Sequence, residues 1–267
     1  MQLKTVAAFI KKDFLTQESY RFFFAFNIAG IFVPMAIIYF ISKSFDTRSD
    51  YFSNYGGRYL PFVFIGLVIH SYLLNALQGL SLKIRREQLL GTLEAIISTP
   101  ISSGSLILGL ISWDFLRGTI NIFIYIIIGM FFFNLHSKLI GLLSTLVVLI
   151  FGLFSLVGLG IISASFTLYF KREDPVNWLG VTLFGFLGGV FFPTEILPPV
   201  LQKISYFIPL THVLKALRLS LLSGYSLSSL KDIIIILMLF SVVLVPVSLV
   251  IFNLALRKTL REGIRIY

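Results

Sequence analysis

The chain has 267 residues, of which 57% are hydrophobic and 13% are charged, and its mean hydropathy is +0.94. Soluble globular domains are far more polar than this, so the composition excludes a soluble domain and indicates an integral membrane protein. The net charge of +10 is therefore assigned to loops that set orientation and touch anionic lipid, not to nucleic-acid binding, and the lack of cysteine excludes disulfides and thiolate metal sites.

Residues 2–18 are predicted to form an amphipathic helix that lies in the membrane interface. Apolar residues recur at helical spacing along it, and lysines occupy its other faces, which suits a helix lying flat among lipid headgroups. The alternative is a plain extension of the first span. A cleavable signal peptide is not expected, because Asp13 and Glu18 interrupt the segment.

The chain is predicted to be a single all-α transmembrane domain, residues 1–267, with six spans. Each apolar run is long enough to cross a hydrocarbon core of about 30 Å. The predicted spans are residues 22–41, 60–80, 105–133, 140–169, 177–192 and 232–255. The short loops rich in lysine and arginine, near 83–86 and 171–172, lie on the same side as both termini. Both termini are therefore predicted to be cytoplasmic, in a multi-pass protein of the cell membrane.

Two spans carry polar residues on one face, which should turn toward the protein interior or a wet path because lipid offers no partners. The intramembrane pathway candidates are Ser71, Asn75, Gln78, Asp114, Arg117 and Asn121. Asp114 and Arg117 are three residues apart and are predicted to pair, either structurally or on the path. His70 is predicted to be a hydrogen-bonded structural residue, with a ligand or relay role as the alternative. The Gly185-x-x-x-Gly189 pattern in the fifth span predicts a helix-packing face.

The soluble-looking stretch between the second and third spans is predicted to form an amphipathic helix over residues 86–98. Leu89, Leu93 and Ile96 share one face of that helix, while polar residues lie opposite. Thr99 precedes Pro100, which disfavours helix at that point. The helix would be held at the membrane surface, and the alternative is an ordinary solvated loop helix.

Residues 194–224 are predicted to form a broken outer hairpin that dips into the membrane and returns. Four prolines, at positions 193, 198, 199 and 209, forbid one continuous span. Two short helices fit instead, residues 198–206 and 211–223, with Thr211 as the N-cap and Gly224 as the C-cap of the second. The hairpin is either a gate or a static plug, and its cations Lys203, Lys215 and Arg218 are expected to reach the outer surface. The gate candidates are Pro193, Glu195, Pro198, Pro199, Pro209, His212, Lys215 and Arg218.

Taken in this order, these features resemble the permease subunit of a type-2 ABC transporter of the exporter type. The motifs that carry the resemblance are Gly91-Thr92-Leu93-Glu94…Thr99-Pro100 and Phe192-Pro193…Leu197-Pro198…Pro209-Leu210-Thr211. The resemblance implies that residues 86–98 are a cytoplasmic coupling helix and that two permease copies, as a homodimer, form the pathway. It also implies that separate ATP-binding cassette subunits dock beneath the coupling helix. The implied contacts to that subunit are Glu87, Leu89, Leu90, Gly91, Thr92, Leu93, Glu94 and Pro100.

The chain itself is not expected to be an enzyme. The Gly-x-x-x-x-Gly-Lys-[Ser/Thr] motif is absent, so ATP and Mg²⁺ are expected in the partner subunit, and no catalytic residue, cofactor or metal site is assigned to this chain. Polysaccharide exporters often carry a Gly-x-Leu-Trp-type motif, whereas residues 20–24 read Tyr-Arg-Phe-Phe-Phe. This difference favours efflux of drugs, lipids or small products, such as multidrug efflux, over export of polysaccharide or lipid-linked glycan.

Two other classes remain as alternatives. A membrane-embedded lipid or prenyl transferase would need facing acidic clusters for Mg²⁺, and the nearest candidates are Asp46 and Asp50 alone. A secondary transporter would often show interrupted spans in both halves of the chain, whereas only the C-terminal half is broken.

Overall fold

The computed structural model describes residues 2–18, 30, 32–44, 50–93, 103–133, 139–170 and 175–262. Within these ranges the chain is α-helical and no strand occurs, which confirms the all-α prediction. The helices are α1 Gln2–Glu18, α2 Phe32–Ser44, α3 Tyr59–Leu89, α4 Ser103–Phe133, α5 Leu139–Phe170, α6 Pro175–Leu187, α7 Pro199–Tyr206, α8 Pro209–Ser223 and α9 Lys231–Glu262. Short 3₁₀ helices cover Asp50–Tyr55 and Thr194–Ile196.

Four of these helices, α3, α4, α5 and α9, are long and apolar enough to cross a membrane. The third and fourth predicted spans, residues 105–133 and 140–169, match α4 and α5 to within a few residues. The sixth predicted span, residues 232–255, corresponds to α9, which continues beyond residue 255. The count of six spans stays a prediction, because much of the first predicted span lies outside the described residues. α2 has 13 described residues, which is about 20 Å of helix at 1.5 Å per residue.

The fifth predicted span, residues 177–192, is wrong in its extent. α6 ends at Leu187, and Gly188 and Gly189 then form a turn in which Gly189 has φ +77°. A side chain at that φ would be strained, so glycine suits the position. Gly185 and Gly189 consequently do not share a helical packing face. The described part of α6, 13 residues long, is shorter than the roughly 20 residues that cross a membrane.

α5 lies at the centre of the bundle and packs against α3, α8 and α9. Buried hydroxyl pairs join it to two of these neighbours: Ser163 lies 3.2 Å from Ser81 of α3, and Thr145 lies 2.8 Å from Ser220 of α8. Thr259 of α9 donates to the Leu168 carbonyl at 3.1 Å. Such hydrogen bonds between helices hold a bundle together where lipid supplies no hydrophobic driving force.

The bundle has two ends, which we name after a residue at each. The Lys83 end holds α1, the end of α3, the start of α4 and the end of α9, and the apolar cluster around Ile84, Leu168 and Leu256 lies there. The Arg218 end holds the 3₁₀ helix Asp50–Tyr55, α7 and α8. α1 docks on α4 through an edge-on contact of Phe14 with Trp113, with ring centroids 5.4 Å apart. α1 is thus helical over the predicted residues 2–18; its place in the membrane interface stays a prediction.

Candidate functional site

A turn follows α3 at the Lys83 end and contains most of the predicted contacts to a partner subunit. The Leu90 amide donates to the Arg86 carbonyl at 3.0 Å, and Gly91 then has φ +68°. Glycine adopts this left-handed conformation without the steric cost of a Cβ atom, and it is a common way for a helix to end. The continuous helix predicted over residues 86–98 is therefore wrong: residues 86–89 are the last turn of α3, and helical geometry resumes only at Leu93. Glu94 and Pro100 lie outside the described residues.

The leucines around this turn face different environments. Leu89 and Leu90 are each 63% exposed, whereas Leu93 is 3% exposed and packs with Ile84 and Leu168. The prediction that Leu89 and Leu93 share one face is wrong, because the break at Gly91 removes the helical phase between them. Among these three leucines, only Leu89 and Leu90 present apolar surface that a second chain can contact.

The Glu87 carboxylate is held within the chain. It lies 3.7 Å from Lys12 Nζ of α1 and accepts a hydrogen bond from Thr92 Oγ1. The Thr92 amide donates to the Glu87 carbonyl at 3.1 Å. Glu87 thus connects the turn to α1. The Glu87 carboxylate, which was predicted to contact a partner subunit, binds Lys12 and Thr92 of this chain instead.

Lys83 joins three helices at this end. Its Nζ lies 2.7 Å from Asp13 Oδ2 of α1 and 2.9 Å from Asp114 Oδ2 of α4, and it donates to the Leu110 carbonyl at 2.7 Å. The structure therefore gives Asp114 an ion pair with Lys83. The predicted pairing of Asp114 with Arg117 stays a prediction. Lys83 belongs to a different helix, and only the packing of α3 on α4 brings it to Asp114.

A cavity of about 30 Å³ lies beside Lys83 and Asp114, between α3, α4 and α5. Asn75 and Asp114 line it, as does Tyr72, which the sequence did not single out. Ser71 and Asn75 donate to carbonyls of α3 itself, at 2.7 Å to Val68 and 2.9 Å to Ser71. The remaining predicted pathway residues, Gln78, Arg117 and Asn121, are described but do not line this cavity. The structure thus brings together two of the predicted pathway residues.

His70 lies near the Arg218 end of α3 and has a structural contact. Its Nε2 lies 3.3 Å from the Val181 carbonyl of α6, and the ring lies against Gly185. A Cβ atom at position 185 would come within 2.7 Å of His70 Nε2, so the glycine makes room for the imidazole. This contact agrees with the structural reading of His70.

Arg218 is the most constrained of the predicted gate residues. It is 3% exposed, and its guanidinium donates to the carbonyls of Phe62 (3.1 Å), Gly189 (2.8 Å) and Val190 (2.9 Å). Its Cζ lies 3.4 Å from the centroid of the Phe62 ring. Burial lowers the pKa of Arg218 to about 9, which leaves it charged at neutral pH. The prediction that Arg218 reaches the outer surface is wrong, because it instead joins α8 to the start of α3 and the turn after α6.

Two further gate residues, Lys215 and Glu195, are exposed, and Glu195 holds a small polar group together. Its carboxylate accepts a hydrogen bond from the Tyr55 hydroxyl at 3.3 Å and lies 3.4 Å from Lys215 Nζ. Burial, and then the charge of Glu195, raises the pKa of Tyr55, so its hydroxyl stays a donor. Lys203 and Lys215 are exposed, and their position at the outer surface stays a prediction.

Two short helices lie where the hairpin was predicted, with one correction at their ends, and the entry of this hairpin into the membrane stays a prediction. Pro199 and Pro209 occupy first-turn positions of α7 and α8, where a missing amide proton costs nothing. Ile208 is the N-cap of α8, so the assignment of Thr211 as the cap is wrong; Gly224 is the C-cap, with φ +68°. His212 Nε2 lies 2.7 Å from the Tyr206 carbonyl, and burial lowers the pKa of His212, so the neutral imidazole donates there. Pro193 is buried, whereas Pro198 is exposed.

Sequence reasoning missed Lys83, Asp13, Tyr72 and Tyr55. In the sequence, Lys83 and Asp13 look like ordinary surface charges. They are 70 residues apart in the chain, and no local pattern predicts that they are in contact. Tyr72 could have been noticed, because it lies between Ser71 and Asn75 on a span whose polar face had been identified.

Comparisons with known proteins agree with this architecture. A family model described as ABC-2 type transporter matches residues 5–222. The chain is 26% identical over 166 residues to the inner membrane transport permease YadH of Escherichia coli strain K12, and equally to the proteins of that name in Escherichia coli O157:H7 and Shigella flexneri. The match covers 61% of this chain and spans 63% of the length of these curated relatives.

Proposed function

The chain belongs to the ABC-2 type transporter family, and from this membership we propose that it is the permease subunit of an ATP-driven exporter. Two copies form the substrate pathway in the cell membrane. Separate ATP-binding cassette subunits, which bind ATP and Mg²⁺, dock at the Lys83 end, and this end faces the cytoplasm. This chain supplies no catalytic residue. Export moves drugs, lipids or small products, as the Tyr-Arg-Phe-Phe-Phe sequence at residues 20–24 favours.

The observation that supports ATP coupling is the turn after α3. Leu89 and Leu90 are exposed there, and Glu87 connects the same turn to Lys12 of α1. Lys83 links α1 to α3 and α4 a turn earlier. A partner that pushes on this turn therefore acts on three helices held together by ion pairs. Closure of the ATP-binding subunits then tilts these helices and opens the path outward, a rigid-body change of the kind that packed interfaces transmit.

The outer segment acts in this proposal as the gate, but its two helices have different roles. α8 is fixed to its neighbours by Arg218 and by the Ser220 contact to Thr145. α7 has its apolar side chains largely exposed, for example Val200 and Ile204. We therefore assign the movement to α7 and treat α8 as part of the static wall.

Co-purification tests the proposal. Tagged permease isolated from its own cells should bring down an ATP-binding cassette chain, identified by mass spectrometry. Leu90→Asp places a charge on the exposed apolar contact and should weaken that association about tenfold, which corresponds to about 1.4 kcal/mol, a typical effect for one important interface residue.

The matched control is Tyr225→Asp, which adds the same charge at an exposed aromatic residue near the Arg218 end. It should leave the recovery of the ATP-binding chain unchanged. Equal recovery with Leu90→Asp and Tyr225→Asp would show that the turn after α3 is not the docking site. Failure to recover any ATP-binding chain with the unmodified permease would contradict the proposal as a whole.

A further inference from the structure

We infer that the cavity between α3, α4 and α5 is a binding subsite for one small hydrogen-bond donor. The donor is either an ordered water or the hydroxyl or ammonium head of a molecule dissolved in the membrane. A membrane-dissolved donor rests on the proposed transport function, because the cavity would then bind the head group of an amphiphile that is being exported. The ordered-water source does not depend on that function.

A tyrosine that lines this site has a buried hydroxyl that is unsatisfied among the described residues. Tyr72 lines the cavity and is 3% exposed, and its Oη has no hydrogen-bond partner among the described residues. Buried polar atoms in folded proteins are almost always hydrogen-bonded, and internal water commonly supplies the missing partner. The unsatisfied Tyr72 oxygen therefore indicates an occupant that the protein itself does not provide.

The cavity has several polar groups in its lining and is large enough for a small occupant. Asp114 and Asn75 join Tyr72, and the remaining lining residues, such as Phe115 and Val157, are apolar. A volume of about 30 Å³ admits one or two water molecules or a single small head group, and an occupying water needs two to four polar partners. Asn75 is exposed whereas Tyr72 is buried, so the lining runs from the surface of the bundle inward.

The cavity is not a packing defect between loosely associated helices. Gly160 of α5 lies so close to α3 that a Cβ atom on it would come within 2.1 Å of the Ala76 carbonyl oxygen. Gly118 of α4 lies against the Tyr72 ring, where a Cβ atom would come within 2.8 Å. The helices are thus in close contact beside the cavity.

The charges near the cavity favour a donor over an anion. Asp114 faces it, and Lys83, which lies 2.9 Å from Asp114, also lies 2.7 Å from Asp13. Asp114 is the charged residue among those that line the cavity, so its carboxylate is the charge that an occupant meets. A phosphate or carboxylate would meet the Asp114 carboxylate, whereas water, a hydroxyl or an ammonium group can donate to it.

Hydroxyl-radical labelling by X-ray radiolysis tests for an occupant with access to water, using the permease in lipid nanodiscs. Radicals form from water beside the side chain that they modify, so a buried tyrosine next to bound water is labelled. We expect Tyr72 to be modified at least ten times faster than Tyr125. Tyr125 is the matched control, because it lies on α4, is 4% exposed and does not line the cavity.

Added amphiphiles distinguish the two sources of the donor. If dodecylammonium protects Tyr72 from labelling while uncharged methyl dodecanoate does not, the head of a membrane-borne amphiphile occupies the subsite. If neither protects, the occupant is ordered water. Labelling of Tyr72 no faster than Tyr125 would overturn the inference. That result would leave the proposed export function untouched, since that function is judged by recovery of the ATP-binding chain.

Discussion

At the scale of single residues, the Arg218 guanidinium makes the clearest energetic case. It is a buried cation with three hydrogen bonds to backbone carbonyls, those of Phe62, Gly189 and Val190. A charged hydrogen bond contributes about 1.5–3 kcal/mol, and its loss leaves a buried carbonyl unsatisfied. Stacking on the Phe62 ring adds a further attraction that depends on a planar cation.

Arg218→Met is therefore expected to destabilise the protein by at least about 3 kcal/mol, since several charged hydrogen bonds are lost together. Arg218→Lys should recover little of this, because one ammonium cannot reproduce the planar fork that spans three carbonyls. The measurement is the thermal unfolding midpoint in detergent, followed by folded yield on size-exclusion chromatography.

Lys215→Met on the same helix is the control for Arg218. Lys215 is exposed and pairs with Glu195 at 3.4 Å, and exposed pairs contribute at most about 1 kcal/mol. Its unfolding midpoint should stay close to that of the unmodified protein. Equal losses for the variants at positions 215 and 218 would mean that the carbonyl contacts do not stabilise α8.

At the scale of helices, the best-predicted elements are those that consist of one continuous apolar stretch. α4 and α5 begin and end within two residues of their predicted limits, because polar residues and glycine bound long apolar runs. α3 was predicted too short, because its last two turns carry Lys83, Arg85 and Arg86, which resemble a loop. Those residues are nevertheless part of α3, which continues beyond the apolar stretch. Lys83 there forms ion pairs with Asp13 of α1 and Asp114 of α4.

The candidate site was predictable where it depended on residue type and not where it depended on contacts between distant helices. The polar faces that contain Asn75 on α3 and Asp114 on α4 were visible in the periodicity, and both residues line the cavity. Lys83 as the partner of Asp114 was not visible, because local spacing favours Arg117 on the same helix. The break at Gly91 could have been anticipated from glycine's tolerance of positive φ, but an amphipathic pattern that continues across it concealed the turn.

A cross-link between α5 and α8 tests whether α8 is static. Thr145 Oγ1 and Ser220 Oγ lie 2.8 Å apart, which suits replacement of both residues by cysteine. The chain has no cysteine of its own, so only the engineered pair can form a disulfide. Because α8 is already held by Arg218, we expect the oxidised Thr145→Cys, Ser220→Cys protein to export at the rate of its reduced form.

The contrasting cross-link joins α7 to the end of α6, where Ser205 Oγ donates to the Leu187 carbonyl at 2.6 Å. If α7 is the moving part of the gate, that cross-link should block export and leave ATP binding intact. Transport lost with the α5–α8 cross-link, or retained with the α6–α7 cross-link, would contradict the division of roles between α7 and α8.

At the scale of the whole molecule, the bundle has its ion-paired, basic end at Lys83 and its proline-rich end at Arg218. The described part of α1 and the end of α9 both lie at the Lys83 end, as Asp13 and Thr259 show through their contacts with Lys83 and Leu168. Short loops rich in lysine and arginine remain on the cytoplasmic side of a membrane. The Lys83 end, with Arg85 and Arg86 beside it, is therefore expected to face the cytoplasm.

Thiol labelling in intact cells checks this orientation. Ser53→Cys and Ser228→Cys place a thiol at exposed positions of the Arg218 end, and Thr92→Cys places one on the exposed turn of the Lys83 end. A membrane-impermeant maleimide should react with the first two in intact cells and with Thr92→Cys only after the membrane is permeabilised. Purified Thr92→Cys protein without its ATP-binding subunit serves as the positive control, because a docked subunit would cover that thiol. Labelling of Thr92→Cys in intact cells, with Ser53→Cys protected, would reverse the orientation and place the proposed ATPase contact on the wrong side of the membrane.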